Sequence, residues 1–177
     1  MGSIFEHYRN RKDLEPTKEE NQIIEEVKEY IKQKYHPMKP IPSTFRVFKP
    51  LTSDWKNVFL FNRGYCWGTH IPNIDIILLT RCKNTKAFYE LVFHELFEWL
   101  FNGDNTKVIT EERKYIQEKF SIKLANREWS PLEDEIIQTL YPSEKERLEN
   151  TFRNVPEAFR REWRELRQRA EELGLHT

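Results

Sequence analysis

Cysteine is scarce in this chain. Cys66 and Cys82 are too few for a disulfide framework or a four-thiolate zinc site. Free thiols are expected, with a single strand-to-strand disulfide as the lesser alternative. Net charge is missing as well: 29 Lys and Arg balance 29 Asp and Glu, leaving no overall field to draw in nucleic acid or an anionic membrane. No apolar run approaches the roughly 18 residues that span a bilayer. The charged opening MGSIFEHYRNRKD also lacks the apolar middle of a signal peptide. The expectation is a soluble, cytoplasmic protein. Internal repeats, low-complexity tracts, a phosphate loop, a dinucleotide fingerprint and a nucleophile elbow are all absent from the sequence.

Charge of both signs is abundant, at 33% of residues, and only five glycines accompany it. That mixture suits charged helices and the ion-pair networks of heat-tolerant proteins. A length of 177 residues fits one domain with a real core. We expect a loose arm over residues 1–15, an α+β domain over 16–142 and a helical extension over 143–177 packed on that domain.

Thr17 and Glu20 form a capping box ahead of Ile23, Ile24, Val27, Tyr30 and Ile31, which recur at helical spacing until His36-Pro37. Between 43 and 80 the period shortens. STFRVF, NVFLF, GYCWGTH and NIDIILL, separated by turn signals, read as three or four largely antiparallel strands. Helices follow over 84–102, closed by Gly103, over about 110–124, and over 131–141, where Ser130-Pro131-Leu132-Glu133 is a second capping box. Ser143 to Glu146 repeats the capping signal. In the tail, Phe159, Trp163, Leu166, Ala170 and Leu173 make a stripe too short for a coiled coil, better suited to packing on its own domain. The fold expected is a small antiparallel sheet with the helix 84–102 packed across it and further helices around.

That helix contains FHELFEWLF, which places His94, Glu95 and Glu98 inside the most apolar run of the chain. At about 100° per residue, Glu98 lies about 40° from His94, Glu95 about 100° and Glu90 about 40° the other way. One account is an amphipathic helix with a solvated polar arc. The other is a metal site, because donors at i and i+4 can grip one ion while an acid at i+1 stands beside its water. The pattern is HExxE, an HExxH with its second histidine replaced by a carboxylate.

The order of GYCWGTH, the strand NIDIILL, the His-Glu helix and a later acidic helix, LEDEIIQTLYP, resembles the zincin metallopeptidases over about residues 56–142. It is most similar to their minimal, anti-repressor-peptidase forms. The resemblance implies zinc held by His94, Glu98 and a glutamate from the later helix, with Glu95 taking a proton from the metal-bound water. It also implies a peptide lying along the strand near Asn73, Asp75 and Ile77 as an added strand. Glu133 falls on the inward arc of its helix and is the candidate third ligand, although position N3 of a capping box asks for glutamate without any metal. Asp104, Glu111, Glu118 and His70 are further candidates, while His70 and His36, beside loops, otherwise read as surface residues. Two carboxylate ligands would leave the metal less acidifying and the site slow or inactive.

The partner expected is a peptide or protein, with no membrane and no nucleic acid; nothing in the pattern sets an oligomeric state. The alternative is a non-catalytic interaction or structural protein with a vestigial site. A nucleic-acid-binding role would need a basic patch that the charge balance does not supply. Phe59, Phe61, Tyr65 and Trp67 accordingly read as core rather than as a base-stacking platform.

Overall fold

A computed structural model describes residues 6–59, 67–71, 74–102, 104–125 and 127–175. The first long helix, α1, runs Lys18–Tyr35. Thr17 Oγ1 accepts from Glu20 N–H, and Glu20 Oε1 accepts from Thr17 N–H, completing the capping box. Ile23, Ile24, Val27 and Ile31 are buried, and the helix stops at His36, in the left-handed region just ahead of Pro37. The Arg81 guanidinium binds both oxygens of Glu20, at 2.9 and 3.0 Å, tying α1 to the residue that follows the sheet.

The sheet has three strands, β1 (Thr44–Phe48), β2 (Gly68–Ile71) and β3 (Ile74–Thr80), in the order β1-β3-β2. It is mixed rather than wholly antiparallel. β2 and β3 pair antiparallel, Gly68 opposite Leu79 and His70 opposite Ile77, whereas β1 runs parallel to β3 with Thr44 opposite Ile76. The segment between β1 and β3 is long enough for the crossover that parallel pairing requires.

Part of that segment corrects the sequence reading. NVFLF was expected to be a strand, but Asn57 and Val58 finish a helix, α2 (Ser53–Val58), opened by Thr52 accepting from Trp55 N–H. Trp55 is fully buried, its indole N–H donating to Thr80 Oγ1 at 2.8 Å. Burial of that ring and the Thr52 cap override the strand preference of Val58 and Phe59. Phe59 and Trp67 lie in the core, as expected; Phe61, Tyr65 and Cys66 lie outside the described residues. Cys82 is a free thiol.

Helices α3 (Thr85–Phe101), α4 (Asn105–Phe120), α5 (Pro131–Leu140), α6 (Lys145–Arg153) and α7 (Trp163–Glu172) complete the α+β architecture. α4 begins earlier than its apolar pattern suggested, because Asp104 caps it by accepting from Thr106 and Lys107 N–H. The left-handed residue closing α3 is Asn102; Gly103 lies outside the described residues. α6 starts at Glu144 without a side-chain cap, so the signal at Ser143–Glu146 marks the position but not the bonds. In α7, Leu166 and Ala170 are buried, and Trp163 stacks on Tyr141 at the end of α5.

Residues 6–14 of the expected loose arm pack on the sheet. Two short 3-10 turns, Glu6–Asn10 and Lys12–Leu14, bury Tyr8 and Leu14 against the sheet, and Arg46 of β1 donates to the Tyr8 and Arg9 carbonyls. Among the described residues, no helix is long and apolar enough to cross a membrane.

α3 is the centre of the molecule. It packs against β2 and β3 and is flanked by α1, α4 and α5. Phe88, Leu91, Val92, Phe93, Leu96, Phe97 and Leu100 are buried, but so are Glu90, His94 and Glu95. Three members of the polar arc are therefore enclosed by neighbouring elements, while Glu98 stays partly exposed.

Candidate metal centre

Side chains on a strand alternate between its faces, so Gly68 and His70 of β2 share one, and that face meets α3. His70 Nδ1 lies 3.3 Å from Glu95 Oε2 and 3.8 Å from Glu98 Oε1. His94 Nε2 lies 3.3 Å from Glu98 Oε2, the contact that i, i+4 spacing predicts. One donor atom from each of His70, Glu95 and Glu98 falls within 4.8 Å of the others. Zinc bonds of about 2.0–2.2 Å set neighbouring tetrahedral ligands about 3.3–3.6 Å apart. The imidazole and carboxylate donors are also of the types zinc accepts, so the residues present fit the ion.

His94 is held from behind. Its Nδ1 is 2.7 Å from Glu112 Oε1 of α4, and because a carboxylate only accepts, Nδ1 carries the hydrogen. Glu112 is completely buried, and besides His94 its polar neighbour is the Glu90 carboxyl, which hydrogen-bonds to it. Glu90, next on the same face, accepts from Ser130 Oγ at 2.9 Å and Leu132 N–H at 3.0 Å, which fastens α3 to the start of α5.

The electrostatics follow from four acids around two imidazoles. Burial raises the Glu90 carboxyl far above the usual range, and the charge of Glu112 raises it further. Burial also pulls the His94 imidazole down, but Glu112, Glu98 and Glu95 outweigh it and hold its pKa well above the ordinary value. For His70, burial is likewise overcome by Glu95 and Glu98, and the pKa is raised. Glu98 moves the opposite way: burial pushes it up, yet its bond to His94 and the charges of His94 and His70 bring it below its usual value. A negative pocket that attracts protons to two histidines is also one that would attract a divalent cation.

Glu95 sits directly over Gly68. A Cβ built on Gly68 would lie 2.6 Å from Glu95 Cγ and 2.8 Å from Oε1. Gly68→Ala should therefore displace Glu95 from His70 and cost about 1–3 kcal/mol, as overpacking does. Thermal unfolding measures the loss; a wild-type melting curve would show that Glu95 does not need this space.

The expected residues divide sharply. His94, Glu95 and Glu98 come together, and His70 joins them. Glu133 does not. It is buried in the Ser130 capping box, accepting from Ser130 N–H at 2.9 Å, and its carboxylate is bound by Arg113 at 3.4 Å and Arg161 at 3.2 Å. Both of its oxygens are committed to guanidinium groups, and it stands outside the cluster of His70, Glu95 and Glu98. Asp104 caps α4, while Glu111 and Glu118 accept from Tyr35 and Tyr30 of α1.

The expected peptide track is also displaced. β3 is the central strand, paired on both sides, so it offers no edge for an added strand. Ile77 is in the core, Asp75 accepts from Ser43 N–H and Oγ, and Asn73 lies outside the described residues.

Two participants were missed or undervalued in the sequence. His70 alternates with Gly68 on a strand face, a pattern legible once β2 is placed. Glu112 stands among Val108, Ile109, Tyr115 and Ile116, the buried stripe of α4, where a carboxylate is out of place unless something is bonded to it. No family model, curated protein or solved structure matches the chain.

Proposed function

We propose that the chain is a zincin-like, metal-dependent hydrolase, with zinc held by His94, Glu98 and His70 and peptide bonds as the substrate class. The observation that supports this most is the convergence of His70 from β2 on Glu95 and Glu98 of α3, one donor atom of each within 4.8 Å of the others, with His94 Nε2 reaching Glu98 Oε2 at 3.3 Å from the next turn. Two imidazoles and one carboxylate are a donor set that zinc hydrolases use. In this reading the histidine missing from HExxE is supplied by the strand, not by a later helix. One carboxylate ligand in place of two also leaves more of the ion's charge to act.

When bound, zinc would lower the pKa of a coordinated water and polarise a carbonyl. The chain's own groups do the rest. Glu95, beside the ligands and held close over Gly68, would accept a proton from the attacking water. Glu112 keeps the His94 hydrogen on Nδ1 and leaves Nε2 facing the site. Peptide as substrate rests on the resemblance in element order, not on a recognised groove.

A second reading has its own support: the raised pKa values of His70 and His94 suit two charged imidazoles paired with acids in a non-catalytic protein. Metal stoichiometry separates the two. After dialysis from a modest zinc excess, wild type should retain near one zinc per chain and His94→Ala should retain none. Zinc-free wild type would discard the hydrolase and leave the ion-pair cluster.

A further inference from the structure

Glu112 is the least expected side chain in the molecule: a carboxylate with no exposure, one oxygen on a histidine and its other polar neighbour another buried acid, Glu90. Burying such a group is costly, and nearby guanidinium groups are otherwise engaged. Arg113, its neighbour in sequence, donates to Glu133 and to the Glu128 carbonyl. A buried histidine–carboxylate pair is often no more stable than well-packed apolar residues in place of both partners, so its presence asks for a reason beyond stability.

Resting on the hydrolase reading above, we propose that Glu112 is a positioning residue for the metal. It fixes the ring plane and tautomer of His94 so that Nε2 presents its lone pair to an ion shared with Glu98 and His70. The geometry is that of a carboxylate–histidine–metal relay, in which the outer acid orients the ligand and raises its basicity. Glu90 backs the arrangement from α3: fastened to Ser130 and Leu132, it lines the same interior and leaves Glu112 no apolar escape. Three elements thus meet behind one ligand: α3 carries it, α4 orients it and the start of α5 anchors the support.

A relay of this kind predicts a graded loss. In a chelator-competition titration, Glu112→Gln should bind zinc about 10–100-fold more weakly than wild type, the range for removing such a partner. Glu112→Asp, which keeps the charge but withdraws it by one methylene, should fall between them. Cobalt-loaded Glu112→Gln should show a d–d spectrum altered from wild type. Affinities within twofold of wild type for both variants would overturn the assignment.

Should either variant fail to fold, wild type alone decides. A long-range 1H–15N spectrum of the zinc-loaded protein should show His94 with hydrogen on Nδ1 and metal on Nε2; metal on Nδ1 would overturn the proposal. Zinc binding by wild type with unchanged affinity in the variants removes the relay and leaves the hydrolase standing. Absence of zinc from wild type removes both.

Discussion

Glu133→Ala should destabilise the protein by about 3–5 kcal/mol, the effect of removing one partner from a buried ionic cluster. For a chain of this length that corresponds to a fall of roughly 6–20 °C in Tm. The Arg161 guanidinium binds Glu133 from Nε and Nη2 and lies 3.9 Å over the Trp129 ring, while Arg113 approaches from α4. Without the carboxylate, two buried cations lose the acid they share, while Arg161 still donates to the Arg127 carbonyl and Arg113 to the Glu128 carbonyl. The Ser130 end of α5 loses its reciprocal cap as well. Denaturant unfolding measures the loss, with zinc content per folded chain measured alongside. A loss under about 1 kcal/mol would contradict a stabilising role for this ionic cluster. Zinc lost from a folded variant would return Glu133 to the metal site.

Glu95→Gln should leave zinc in place and reduce hydrolysis of a generic peptide substrate by about 10²–10⁴-fold, the contribution of a positioned general base. Glutamine has the same shape, so it fits over Gly68 and can still meet His70; what it lacks is the capacity to take a proton. The metal measurement gives the variant its discriminating power. Zinc lost together with activity would make Glu95 a ligand, which the proximity of its oxygen to His70 and Glu98 allows. Unchanged activity would remove the base from the mechanism.

Local signals were the legible part of this fold. The two capping boxes, the stop at His36-Pro37 and the extent of α3 are written in adjacent residues, and the bonds formed there are those the spacing requires. β1 was legible as a strand but not as a parallel partner, because pairing direction is set by where the chain returns. Within the site, the arc of His94, Glu95 and Glu98 is a property of one helix and could be read from its period. His70 and Glu112 come from other elements, and only tertiary placement brings the one to Glu95 and Glu98 and the other to His94. Glu133 shows the reverse case. Two roles fitted the same position, and the choice depended on Arg113 and Arg161, which are distant in sequence.

The enclosure of α3 bears on how the site moves and how it can change. Amide hydrogens of Phe93 to Phe97 belong to the helix that packs against α1, α4, α5, β2 and β3, so their exchange should require global rather than local opening. A centre built there cannot loosen by fraying one helix. Adaptation to another ligand has to enter from the β2 side, where Gly68 and His70 approach it, while substitutions on α3 itself alter the core and the chemistry together.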